Sequence, residues 1–110
     1  MNNKMALDLT KKRFIECQDM LIALGDENRQ NILLALADES CRGGVRVGEI
    51  KKRVNLSRPA VSHHLKILRE ANLVTVRQVG TMNFYSADLK SEFGKLTDLI
   101  EAIKILGATK

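Results

Sequence analysis

The stretch VGEIKKRVNLSRPAVSHHLKILREA, residues 47–71, decides the reading of this chain. Over 47–55, Val47, Ile50 and Val54 recur at intervals of three and four on one face of a short helix, with Glu49, Lys51, Lys52 and Arg53 on the other. So short a helix does not hold in water by itself and needs a partner. A break follows at Asn55, Leu56 and Ser57. Ser57 suits an N-cap, and Pro59 falls in the first turn of the next helix, where a missing N–H costs nothing. That helix runs to about Ala71 and buries Val61, Leu65 and Leu68. Asn55 stands at the turn, where a residue tolerant of the left-handed region is wanted. With Leu56, these apolar positions lock the two helices into a steep crossing, a helix-turn-helix.

Downstream, 73–77 and 83–86 are β-rich runs around Val79-Gly80-Thr81-Met82, which predicts a hairpin whose Gly80 takes a positive φ. Phe84 and Tyr85 point to opposite faces of their strand, so at least one packs on the core. The last element, 89–106, carries Leu89, Phe93, Leu96, Leu99, Ile100, Ile103 and Leu106 in a broad apolar stripe, with Gly107 as its stop. Upstream, 9–24 reads as a helix with Phe14, Ile15, Cys17, Met20, Leu21 and Leu24 on a wide apolar face, ended by Gly25. Asp26 then caps a second helix that buries Ile32, Leu33 and Leu36, and residues 40–44 form a loop. The order is helix, helix, helix, helix, strand, strand, helix. The fold class expected is mainly α with a small β-hairpin wing (α+β), a single winged helix-turn-helix domain over 1–110 with its helix-turn-helix at 47–71 and its wing at 73–87.

The 110 residues allow one domain with one modest core. Only Phe14, Phe84, Tyr85 and Phe93 are aromatic, so aliphatic side chains do most of the packing. A formal charge of +5 and a pI near 9.5 favour an acidic partner, nucleic acid or an anionic membrane. No apolar run approaches the ~18 residues of a membrane span, and the N-terminal MNNKMALDLTKKRF lacks the apolar stretch of a signal peptide. A cytoplasmic protein with no membrane partner is expected.

In a winged helix-turn-helix the second helix enters the major groove of double-stranded DNA and its N-terminal residues reach base edges. Here those are Arg58, Ala60, Ser62 and His63. Arg58 suits guanine O6 and N7, Ser62 either kind of base edge, and Ala60 a thymine methyl; Ser57 and Lys66 suit phosphates better. His63 and His64 point about 100° apart on a helix, so they do not form the i, i+4 pair of a helical zinc site. His64 is expected against the core edge, hydrogen-bonded, and His63 toward DNA. On the hairpin, Arg77, Gln78, Thr81, Met82 and Asn83 suit phosphate contacts or minor-groove insertion, against the plain alternative of a solvated turn.

The segments ALGDENRQNIL (23–33) and LSRPAVSHHLKILREANLV (56–74) resemble the helix signature and the recognition helix of the arsenic-repressor (ArsR/SmtB) family, over roughly residues 21–88. The resemblance implies repression by operator occupancy, a homodimer formed by the first and last helices, and an effector, of unknown identity, that changes DNA affinity. The residues themselves agree on the dimer, because those two helices are more apolar than a 110-residue monomer needs. Phe14, Cys17, Leu21, Phe93, Leu96, Ile100 and Ile103 are the expected interface. A dimer would space two recognition helices ~34–36 Å apart, so the operator should be an imperfect palindrome.

Metal-sensing members of that family carry a cysteine pair in the first helix of the helix-turn-helix or an Asp and His set on the last helix. Here Val45-Arg46-Val47-Gly48-Glu49 fills the first place and the last helix has no His, so no metal and no cofactor are expected. Cys17 and Cys41 leave open a redox-responsive repressor, with Cys41, beside Arg42 in a loop, the more reactive thiol. Non-specific architectural DNA binding is a further alternative, and a protein-interaction module another. No nucleophile, base and orienting acid stand at a recognisable spacing, so an enzyme is not expected.

Overall fold

Residues 2–109 are described by the computed structural model, in the order α1 (Asn3–Leu24), α2 (Glu27–Ala37), a 3-10 turn (Glu39–Cys41), α3 (Val47–Val54), α4 (Arg58–Glu70), β1 (Val74–Val79), β2 (Met82–Ala87) and α5 (Phe93–Ala108). This is the expected winged helix-turn-helix order. The core lies where α2, α3 and α4 meet the start of β1. Ile32, Ile50, Val61, Leu65, Leu68 and Leu73 are fully buried there, joined by Met20 and Ala23 from α1.

The helix-turn-helix forms as its sequence requires. Asn55 caps α3 in the left-handed region at φ 54°, its N–H donating to the Lys51 carbonyl. Ser57 Oγ accepts from the Ala60 N–H at 3.2 Å, and Pro59 lies in the first turn of α4. A second left-handed residue, Asn72 at φ 59°, turns the chain from α4 into β1. Leu73 N–H then reaches back to the Leu68 carbonyl at 2.9 Å.

The wing is longer than its β-rich runs suggested. Its antiparallel register pairs Val76 with Tyr85, Arg77 with Phe84, Gln78 with Asn83 and Val79 with Met82, leaving only Gly80 and Thr81 as the turn. Gly80 has φ +60°, as that tight turn demands. Beyond its own ladder the wing is tied to the loop before α3. Val45 N–H donates to Tyr85 O at 2.9 Å, and Tyr85 N–H donates to Val45 O at 2.8 Å.

The outer helices differ from expectation at their starts. Helix α1 begins at Asn3 rather than residue 9, because Asn2 Oδ1 accepts the Met5 N–H at 2.8 Å and caps it. Helix α5 begins at Phe93 rather than residue 89. The Asp88 carboxylate accepts the N–H groups of Lys90 and Ser91, both at 3.0 Å, and the Ser91 hydroxyl at 2.6 Å, which winds residues 88–91 into a turn and leaves Leu89 exposed. Gly107 continues the helix instead of stopping it, and the end comes at Ala108, where Thr109 N–H and Oγ1 both donate to the Leu106 carbonyl.

Helices α1 and α5 pack along each other. Ala6, Thr10 and Cys17 of α1 are buried, as are Leu99 and Ala102 of α5, and Thr10 Oγ1 lies 2.7 Å from Ala6 O and 3.4 Å from Ala102 O. The pair draws the molecule out to 54 × 23 × 22 Å, with a radius of gyration of 16.9 Å. A compact chain of this length would have about 13 Å.

Candidate nucleic-acid interface

Helix α4 has two unlike faces. Val61, Leu65 and Leu68, spaced i, i+4 and i+7, anchor it in the core, while Arg58, Ser62, His63 and Lys66 are exposed on the other side. Ala60 is half-buried, and Ser57 is exposed with its Oγ engaged as the cap. The candidate base-edge and phosphate residues of this helix therefore share one accessible end and face.

His64 is held from behind. Arg29, buried to 9% exposure on α2, donates Nε to Ala23 O at 2.8 Å and Nη2 to Ile22 O at 3.0 Å, the terminal carbonyls of α1. Its Nη1 lies 3.2 Å from His64 Nδ1. Since a guanidinium only donates, His64 accepts at Nδ1 and carries its proton on Nε2. Burial lowers the His64 pKa against the opposing pull of Asp26, with Arg29 and His63 adding to the lowering. The expectation for His64 thus holds, with a partner the sequence reading missed. Arg29, three residues after the Asp26 cap, reads as a surface cation; the free carbonyls at the end of α1 were the signal for a buried donor. His63 is exposed, its ring centroid 5.5 Å from that of His64.

On the wing, Gln78, Thr81 and Asn83 are exposed near the hairpin tip. Arg77 instead folds back. Its guanidinium lies 4.9 Å over the Phe84 ring and its Nη2 donates to Gly43 O at 3.1 Å, so much of its reach is spent fastening the wing to the loop before α3. Tyr85 packs against the core from the opposite strand face.

The interface expected between copies divides in two. Phe14, Leu21, Ile100 and Ile103 are exposed, whereas Phe93 and Leu96 are half-buried against the chain's own core. Cys17 is corrected outright. It is 0% exposed, turned toward α5 with its Sγ 3.2 Å from Lys95 O, so it faces inward and not toward a partner. The expected reactivity of Cys41 is corrected too: the 3-10 turn buries it to 2% exposure. Both thiols are free, and burial, followed by the nearby Glu16 charge, pushes the Cys17 thiol up, away from the thiolate that oxidation needs.

Among the described residues no three His, Cys, Asp or Glu side chains stand together as a metal site, and no helix is long and apolar enough to cross a membrane.

A buried helix pair crossing at a left-handed turn, followed by a hairpin and flanked by two long helices, defines the class of winged helix-turn-helix DNA-binding proteins. A model of the arsR family of bacterial regulatory proteins matches residues 26–76, from the cap of α2 into β1. Over 77 residues the chain is 42% identical to an HTH-type transcriptional regulator of Mycobacterium tuberculosis, covering 70% of this chain and 68% of that protein. It is 34% identical over 64 residues to the transcriptional repressor SdpR of Bacillus subtilis, covering 58% of this chain and 67% of SdpR. The crystal structure of NolR from Sinorhizobium fredii matches with a TM-score of 0.63 and 30% identity, over 89% of this chain and 84% of NolR. The chain belongs to the arsR family; it is a DNA-binding transcriptional regulator and not an enzyme.

Proposed function

We propose that this protein is a cytoplasmic repressor that occupies an imperfectly palindromic operator as a homodimer, with α4 in the major groove and the hairpin tip in the adjacent minor groove. The observation that carries this reading is the exposed face of α4, where Arg58, Ser62, His63 and Lys66 stand together over a fully packed inner face. Arg58 and Ser62 read base edges, Ala60 lies against a thymine methyl, and Ser57 and Lys66 hold phosphates. Gln78, Thr81 and Asn83 follow the duplex into the next groove, with Arg77 giving a weaker contact because of its bond to Gly43.

The dimer is supported by the exposed apolar side chains of the extended pair, Phe14 and Leu21 on α1 and Ile100 and Ile103 on α5. Repression is supported by the likeness to SdpR, a named repressor. No metal is proposed to bind.

Binding of the purified protein to DNA from upstream of its own gene, against a scrambled duplex and across a salt series, tests the reading. Tight binding to the native fragment alone, with a footprint of two half-sites about one helical turn apart, is expected. Equal affinity for both duplexes would instead make it an architectural binder. A reporter behind the native fragment should rise when the protein is removed; a fall would make it an activator.

A further inference from the structure

Between the N-terminal ends of α3 and α4 and the second strand of the wing lies an open cleft of about 530 Å3. Gly44 and Phe84 lie along it, and Arg46, Lys52 and Arg58 line it. Glu49 is the single acid of the lining, and Arg53 already holds it at 3.4 Å. Among the described residues, none of Arg46, Lys52 and Arg58 has a carboxylate within 4.0 Å. Three unpaired cations around one concavity raise the local potential and draw in an anion.

We propose that this cleft seats the DNA backbone where it passes from the groove occupied by α4 to the groove reached by the hairpin, with Arg46 and Lys52 each contacting a phosphate. The proposal rests on the DNA-binding reading above. A duplex engaged by both α4 and the wing must run its sugar-phosphate strand across the strip between them, and the cleft is that strip. Its position is fixed on both sides. The paired hydrogen bonds of Val45 and Tyr85 hold the loop before α3 against β2, and Arg46 is the next residue along. Arg58, at the start of α4, makes the cleft continuous with the proposed base-reading face. Arg46 and Lys52 thus add affinity and register, and no base preference.

The test compares Arg46→Gln, Lys52→Gln and, as an equal loss of charge elsewhere, Lys12→Gln on the exposed side of α1. All three positions are exposed, so folding is preserved. Affinity for the native fragment and for a scrambled duplex is measured by fluorescence anisotropy over a salt series. Because each position occurs twice in the dimer, Arg46→Gln and Lys52→Gln should each flatten the dependence of log K on log salt by about 1.8. Each should weaken both duplexes by a similar factor, about thirtyfold at 0.15 M salt, while Lys12→Gln keeps the wild-type slope. Wild-type slopes in the two cleft variants, with the native fragment still preferred, would overturn the cleft and leave the regulator reading standing. Failure of the wild-type protein to bind any duplex would overturn both.

Discussion

Arg29 and His64 meet at 3.2 Å behind the recognition helix, and through the same guanidinium the helix is joined to the last carbonyls of α1. One buried side chain therefore closes the end of α1, braces α2 and fixes the rear of α4. Arg29→Met fills a similar volume but leaves Ala23 O and His64 Nδ1 without the donor that Arg29 supplies, while Ile22 O keeps only the Gly25 N–H at 3.2 Å. Leaving buried polar groups unsatisfied costs about 1–3 kcal/mol each, so a loss of about 3 kcal/mol in urea unfolding is expected, with an unchanged m-value. A loss below 1 kcal/mol would show that water replaces the guanidinium.

Acid should loosen the same junction. Because the fold lowers the His64 pKa from its ordinary 6.5, the unfolded chain binds that proton more readily, and stability present above pH 6.5 is lost as pH falls through the lowered value. Protonation also removes the acceptor of Arg29 and sets two cations side by side. His64→Gln keeps an acceptor that does not titrate, so its urea midpoint should change less between pH 7 and pH 5 than that of the wild type. Parallel behaviour of the two proteins would remove His64 from the account.

A second acid transition belongs to Asp88. Hydrogen bonds from the Ser91 hydroxyl and N–H and from the Lys90 N–H hold its carboxyl down to about 2, from an ordinary 3.8. Its contribution is full above pH 3.8 and is lost as pH falls toward about 2. Asp88→Ala should unwind the turn over residues 88–91, and the amides of Lys90 and Ser91 should then exchange with solvent faster than in the wild type.

Gly44 has φ +95°, and a Cβ there would come within 3.0 Å of Ser86 Oγ and 3.1 Å of Phe84 Cβ. Gly44→Ala combines backbone strain with a clash against β2, and a cost of about 1–3 kcal/mol is expected in thermal or urea unfolding. An unchanged midpoint would mean that the loop and the wing shift apart freely.

The two thiols should be silent in the folded protein. Cys17 and Cys41 are buried, so a thiol reagent should label neither at neutral pH until denaturant is added. Phe14→Asp or Ile103→Asp should convert a dimer to a monomer in light scattering, whereas Cys17→Ala should leave the association state alone and lower stability by about 1 kcal/mol through the lost packing. Prompt labelling of the native protein would restore the redox reading.

The helix-turn-helix was legible because its signals are local: the period of Val47, Ile50 and Val54, the cap at Ser57 and the turn at Asn55 all lie within a few residues. What escaped depended on distant partners or on short polar turns. The apolar period of 89–106 ran straight through residues 89–91, where the hydrogen bonds that Asp88 accepts from Lys90 and Ser91 win over helix propensity. Cys17 sits on an apolar helix face that serves both the chain's own α5 and the outside, and periodicity does not separate the two sides. Arg29 became a core residue only because three acceptors from α1 and α4 converge on it. The face of α4 was readable, while Arg46 and Lys52 join it only once the loop before α3 is folded against the wing.

Helix α1 spans 22 residues, a rod of about 33 Å at 1.5 Å per residue, and its far end is the one gripped by Arg29. Leverage follows from that length. A tilt of about 6° at the other end moves the gripped end by about 3.4 Å, the spacing of one base along a DNA strand. Any change that rocked α1 by a few degrees at its far end would therefore carry the end held by Arg29 through about one base spacing without unwinding a helix.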